Sequence, residues 1–223
     1  MPEDRRTCID RLVTELSGRE VPHTLRVAVD GPDAAGKTTL ADELADRLAR
    51  IGPVIRLSVD RFHRPQDVRR RRGSLSPEGY YRDSFDNETI VGEVLRPLGP
   101  GGDGRYLPSA FDYRTDRAAR PAHRAAPPGA VLLFDGVFLL RPELRDHWDV
   151  SVYLHVDEDV TLARARVRDL GLFGSVEAVE ERYRKRYLPG QRLYREEARP
   201  TEQADILVDM ADPQAPVIMR WPG

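Results

Sequence analysis

Apolar positions along the chain follow two alternating rhythms. Short, nearly continuous apolar runs occupy 25–30, 54–60, 130–136, 150–156 and 204–209. Runs of this length without polar alternation read as strands covered on both faces, as in a parallel sheet packed between helices. Between them the apolar spacing lengthens to that of a helix. Residues 5–18 read as an amphipathic helix, and within 39–51 Leu40, Leu44, Ala45, Leu48 and Ile51 share one face. Further helices are expected at 87–98, 157–171 and about 175–188. Residues 61–79 are polar and basic and read as loop, 99–104 as a flexible turn, and 105–129 as a Pro-, Arg- and Ala-rich stretch with short strands. Strands alternating with helices predict an α/β fold with a mainly parallel five-stranded sheet and helices on both faces. Ligands of such sheets collect beyond the carboxyl ends of the strands. With no repeats and no clear linker, a single domain over 1–223 is expected.

The first apolar run leads into G-x-x-x-x-G-K-T, Gly31 to Thr38, and the helical pattern follows at once. Backbone N–H groups of such a loop converge on one anion, and glycines leave room for the approach. Gly31, Asp33, Ala34, Ala35, Gly36, Lys37, Thr38 and Thr39 are therefore candidates to hold a nucleoside triphosphate. Lys37 would reach its β/γ-phosphates and the Thr38 hydroxyl would ligate Mg²⁺. The helix N-terminus adds positive partial charge at the same place. Asp60 and Asp135 each close a predicted strand. Phosphoryl transfer to a hydroxyl needs a base or orienting group and a metal ligand, roles that two strand-end carboxylates could divide. Arg164, Arg166 and Arg168 lie on one predicted helix and could neutralise phosphate charge from a mobile lid. Four-residue spacing lets Arg164 and Arg168 share a face, while Arg166 diverges. The run 69–72, four arginines, reads as a solvated loop. Tyr80, Tyr81, Phe85, Phe111 and Tyr113 fall in irregular regions, where such rings either stack on a flat base or simply pack.

Composition narrows the partners. The 223 residues are 40% hydrophobic, enough for a packed core, and the net charge of −2 gives no general pull toward nucleic acid or membrane. The single cysteine, Cys8, allows no internal disulfide and suits a reducing compartment. The first ten residues lack the apolar core of a signal peptide, and no apolar run is long enough to span a bilayer. A cytoplasmic enzyme is expected.

Over about residues 24–210 the chain resembles the uridine kinase/phosphoribulokinase group of P-loop kinases, most closely uridine kinase-like proteins of actinobacteria. The stretches that carry this are 31–41 (GPDAAGKTTLA), 57–65 (LSVDRFHRP), 84–90 (SFDNETI), 111–117 (FDYRTDR), 132–140 (LLFDGVFLL), 148–169 and 187–209. The resemblance implies a P-loop NTPase fold, with an acceptor-site insertion at about 61–129 and a helical lid at about 162–186. It implies a kinase using ATP and Mg²⁺, with Asp60 as general base for an acceptor's 5′-hydroxyl. Thr38, Asp60 and Asp135 are the implied metal-site residues, and Arg164, Arg166 and Arg168 close on the phosphates. Phe111, Asp112 and Tyr113 match a segment that lines the nucleoside pocket. Two positions depart from the group's pattern. Its ribose-gripping aspartate falls on Tyr80, with Asp83 nearby but displaced, and its base-contacting histidine falls on Asp116. The phosphate half is kept and the acceptor half rewritten. A nucleoside such as uridine or cytidine is the leading acceptor; nicotinamide riboside, pantothenate or a sugar-like alcohol is the alternative, as is a nucleotide-binding regulator without transfer. A small-molecule acceptor, a nucleoside triphosphate and a homo-oligomer are the partners implied, though no interface is readable.

Overall fold

The structure, a computed structural model, describes residues 4–222. Its sheet contains β1 (Leu25–Asp30), β2 (Val54–Ser58), β3 (Val131–Asp135), β4 (Val150–His155), β5 (Ile206–Asp209) and β6 (Val217–Arg220), in the order β6-β5-β4-β1-β3-β2. The five expected strands are all parallel to one another. β6 is an addition to the expected five, an antiparallel edge strand on β5. Its residues are half-exposed to exposed, so it lacks the continuous apolar run that marks the buried strands.

β1 is buried along its whole length and lies between β3 and β4. In register, Val29 pairs with Asp135 and Ser58 also pairs with Asp135. The carboxyl ends of β1, β2 and β3 therefore open at one level of the sheet, which is where ligands of this architecture bind.

Helices cover both faces. On one, α1 (Arg5–Ser17) buries Cys8, Ile9, Leu12 and Leu16, and α2 (Lys37–Leu48) buries Leu40, Ala41, Leu44 and Leu48. These join Val27, Val29, Leu133, Val152 and Val208 in one core. The Asp4 carboxylate caps α1 by accepting from Thr7 N–H at 2.7 Å. The opposite core is aromatic, with Phe62, Tyr80, Tyr81, Phe85, Phe134, Phe138, Tyr153 and Tyr194. It is closed by α3 (Pro77–Asp83) and α6 (Leu188–Ala198). A third, small cluster of Leu162, Ala165, Val179, Tyr183 and Leu188 joins α4 (Glu158–Arg168) to α5 (Val176–Arg182) and the wide turn after it.

The region read as loop at 61–79 differs from expectation. It ends in α3, capped by Ser76 with Pro77 in its first turn. Four of its seven residues are buried, so no amphipathic period advertises it. Nor is the arginine run free in solvent. Arg69 pairs with Asp116 at 2.9 Å, and Arg71 and Arg72 pair with Asp83 at 2.7 and 2.8 Å. Residues 105–125 hold two short antiparallel pairs, Arg105–Tyr106 with Arg124–Ala125 and Phe111–Asp112 with Arg117–Ala118. Among the described residues no helix is long and apolar enough to cross a membrane.

Candidate functional site

The loop after β1 is shaped by its glycine. A Cβ on Gly31, at φ +152°, would lie 2.7 Å from the Leu154 carbonyl oxygen of β4, so the loop leaves the sheet where only glycine fits. Gly36 and Ala34 take left-handed φ values of 89° and 58°, which turn the chain back to start α2. Lys37 folds over the loop and donates to the Pro32 carbonyl at 2.7 Å. Burial lowers the pKa of its ammonium, against the opposing fields of Asp33, Asp30 and Asp135. Thr38 and Thr39 are exposed at the start of α2.

Beneath the loop, Asp30 closes β1 fully buried. Its carboxylate accepts Gly31 N–H at 2.7 Å on one oxygen, and Leu139 N–H and Leu140 N–H at 3.1 and 3.2 Å on the other. Tyr194 of α6 donates its hydroxyl to that second oxygen. Asp30 thus ties the loop to the segment after β3, where Phe138 holds a left-handed φ of 66°. Burial raises its pKa to about 6 despite these donors.

Three carboxylates surround the loop's open side. Asp135, at the end of β3, is buried; one oxygen accepts the Thr38 hydroxyl at 2.7 Å and the other meets Arg56 at 2.7 Å. Asp60 sits two residues beyond β2, in the tight turn Val59–Phe62 rather than on the strand itself. Its carboxylate reaches solvent at the mouth of the site yet is crowded by protein. Lost solvation is the largest influence and raises its pKa, Asp135 and Asp33 push the same way, and His63 and Lys37 oppose them. His63 binds the Asp60 carbonyl oxygen through Nδ1 at 3.0 Å and packs on Phe85 and Tyr113, ring centroids 4.6 and 5.4 Å away. The third carboxylate, Asp33, is the charge that bears most strongly on Lys37. It accepts the Tyr80 hydroxyl at 2.7 Å and the Gln191 amide nitrogen at 3.4 Å.

The three lid arginines separate. Arg164 reaches across to the Ala34 carbonyl of the loop at 3.4 Å and the Met210 carbonyl at 2.7 Å. Arg168 is held by Asp169 at 2.7 Å and donates to the Tyr183 hydroxyl oxygen at 3.0 Å, and its charge bears on Lys37 and Asp33. Arg166 pairs with Glu180 of α5 at 2.6 Å.

The expected acceptor residues are less uniform. Phe111 is buried, Tyr113 is exposed beside His63, and Asp112 spends its carboxylate on the Arg114 N–H at 3.0 Å. Asp83 is buried with both oxygens taken by Arg71 and Arg72. Asp116 accepts the Gln66 N–H at 3.0 Å as well as Arg69, so it braces the insertion. Tyr80 is not an open pocket wall: its ring is wedged edge-on between Phe138 and Tyr187, centroids 4.9 and 4.8 Å away. Arg56 lies outside the stretches that carry the family resemblance, and His63, Gln191 and Tyr194 lie within them but have no spacing of their own that marks a role. Asp30 carried a signal, a carboxylate ending a wholly apolar strand.

Residues 27–211 match the Phosphoribulokinase / Uridine kinase family. A uridine kinase of Leuconostoc citreum is 26% identical over 82% of this chain and 86% of its own length. One from Staphylococcus haemolyticus is 28% identical over 83% and 87%. Among solved structures, a possible uridine kinase from Bacillus stearothermophilus superposes with a TM-score of 0.72 at 22% identity, over 91% of this chain and 97% of that one. A candidate fructose transport system kinase from Silicibacter sp. TM1040 gives 0.71 at 25% identity, over 88% and 96%. With this strand order, phosphate loop and span of similarity, the chain belongs to the Phosphoribulokinase / Uridine kinase family and is a P-loop phosphotransferase with an alcohol acceptor.

Proposed function

We propose that this protein transfers the γ-phosphoryl group of ATP, with Mg²⁺, to a hydroxyl of a neutral small molecule, most simply the 5′-hydroxyl of a nucleoside such as uridine or cytidine. The observation that carries this is the convergence of Lys37, the Thr38–Asp135 pair and Asp60 at the carboxyl end of β1–β3. Uridine kinases of similar length among its relatives support the nucleoside.

The residues fit the metal. A hydroxyl and a carboxylate 2.7 Å apart form a hard oxygen pair beside the phosphate loop. Among the described residues no group of three or more His, Cys, Asp or Glu could hold a metal ion by itself. That suits Mg²⁺, which takes one or two protein oxygens and completes its shell from phosphates and water. Thr38 and Asp135 would hold it, and when bound it would neutralise charge on the β and γ oxygens. Asp60 would take the acceptor's proton; a carboxylate shifted upward from its ordinary range is a better-matched base near neutral pH. Lys37 and Arg168 would face the charge that gathers on the moving phosphoryl, and Arg164 would dock the lid, about 162–186, on the loop.

A sugar-like alcohol is the second reading. It is favoured by the commitment of Asp83 and Asp116 to arginines, which removes both from the free side chains of a nucleoside pocket. ADP release from ATP–Mg²⁺ across nucleosides, nicotinamide riboside, pantothenate and sugars, with Asp60→Asn as control, tests the proposal. Acceptor-stimulated turnover that falls by about 10²–10⁴-fold in Asp60→Asn, with ATP affinity little changed, is expected. Full turnover in that variant would refute the base assignment.

A further inference from the structure

Asp33 places a carboxylate in the phosphate-binding loop, where its charge repels the polyphosphate that the loop's amides attract. In the structure its carboxylate is held by two buried donors. Tyr80 and Gln191, 6% and 1% exposed, come from α3 and α6 and both donate to the same oxygen, Oδ2. These helices pack closely at this point: a Cβ on Gly190 would meet the Tyr80 ring at 2.7 Å.

Two acceptor atoms are left over. Oδ1 of the half-exposed Asp33 takes no hydrogen bond from any described residue. Oε1 of Gln191 is buried with no partner among the described residues. The orientation of that amide is not arbitrary, because only its nitrogen can face the carboxylate. A buried, unpaired carbonyl oxygen is costly unless something supplies a donor. The cluster also adjoins the chemistry: the Asp33 charge acts on Asp60, Lys37 and Arg168.

We propose that Asp33 and Gln191, braced by Tyr80, form the subsite that recognises a second hydroxyl of the acceptor, beside the one phosphorylated. The subsite rests on the kinase reading above and deepens it. Both leftover atoms accept, so the ligand must donate; Asp33, Asp60 and Asp135 together disfavour an anionic acceptor. The acceptor class is a neutral polyhydroxylated molecule, and the carboxylate that reads it is lent by the phosphate loop itself. Asp83 and Asp116, occupied by arginines, are then free of that task.

The test compares kcat/KM for the best polyol acceptor of the panel with that of its monodeoxy analogues, uridine against 2′- and 3′-deoxyuridine or fructose against its deoxy sugars. Wild type, Asp33→Ala, Gln191→Leu and Tyr80→Phe are measured, with KM for ATP alongside. The wild type should reject one deoxy analogue by about 100-fold, and Asp33→Ala should shrink that ratio below about 10-fold. Gln191→Leu and Tyr80→Phe should shrink it partly, and KM for ATP should not rise. Unchanged discrimination in Asp33→Ala, with turnover still dependent on Asp60, overturns the subsite and leaves the kinase standing. A rise in KM for ATP without a change in discrimination overturns it too, returning Asp33 to the phosphate side. Wild-type protein unresponsive to every acceptor overturns both readings.

Discussion

Tyr194→Phe removes one oxygen from the support beneath the phosphate loop, and the size of its effect should depend on pH. That hydroxyl donates to Asp30 and accepts the Leu140 N–H at 3.0 Å, in a site with no access to water. Leu140 N–H keeps Asp30 as partner at 3.2 Å, so the principal loss is the donor to the carboxylate. Asp30 is moved by burial from 3.8 to about 6. Two pH units amount to roughly 3 kcal/mol by which the folded state disfavours the charged form. The native protein therefore holds a proton that the unfolded chain has released between about pH 4 and 6. Asp30 favours folding fully below that window, and its contribution is lost as pH rises through 6. At pH 8 Asp30 is ionised, and losing a hydrogen bond to a charged group costs about 2 kcal/mol. At pH 5 Asp30 is mostly protonated, and a bond between neutral groups is worth about 1 kcal/mol. Loss of the donor also raises the Asp30 pKa further, so the variant keeps losing stability above pH 6 where the wild type levels off. Urea unfolding followed by circular dichroism, on both proteins at pH 5 and pH 8, reads this directly. A cost equal at the two pH values, or larger at pH 5, would refute the account of Asp30.

Two further substitutions probe the frame of the site. Gly190→Ala places a methyl 2.7 Å from the Tyr80 ring and 3.1 Å from the Pro77 carbonyl, so it should destabilise by about 1–3 kcal/mol in thermal or urea unfolding. Retention of full stability would mean that α3 and α6 separate more easily than their packing indicates. Arg56→Met leaves the buried Asp135 with Thr38 alone; because Arg56 is partly exposed, a loss of about 2 kcal/mol is expected, under the roughly 3–5 kcal/mol of a fully buried pair. Calorimetry should show that Mg²⁺–ATP restores more stability to this variant than to the wild type, and an equal restoration would argue against Asp135 as a metal ligand.

Some of this was open to reading in the chain alone, for reasons that differ by element. β1, β3 and β4 were visible because burial on both faces leaves no polar alternation. The phosphate loop was visible because its geometry needs glycine at fixed spacing and its chemistry needs a lysine and a hydroxyl directly after. Asp60 and Asp135 followed from their place at strand ends. α3 was hidden because most of it is buried, and β6 because an edge strand of four residues has no distinctive pattern. Placing Asp60 two residues past the end of β2 also required the structure, since Ser58 starts a tight turn there.

By itself, then, the order of apolar runs and one loop motif determined an α/β fold with a phosphate-binding type of loop at the sheet's carboxyl end, and the kinase expectation came from the family resemblance. Those features are local: a strand's pattern and a loop's spacing are complete within a few residues. Which carboxylates remain free to meet an acceptor was decided only by tertiary structure. Asp83 and Asp116 are taken by arginines 12 and 47 residues away, while one oxygen of Asp33 is held by Tyr80 and by Gln191, the latter 158 residues along the chain. A side chain's availability depends on the partners that packing brings to it, and no spacing in the sequence records them.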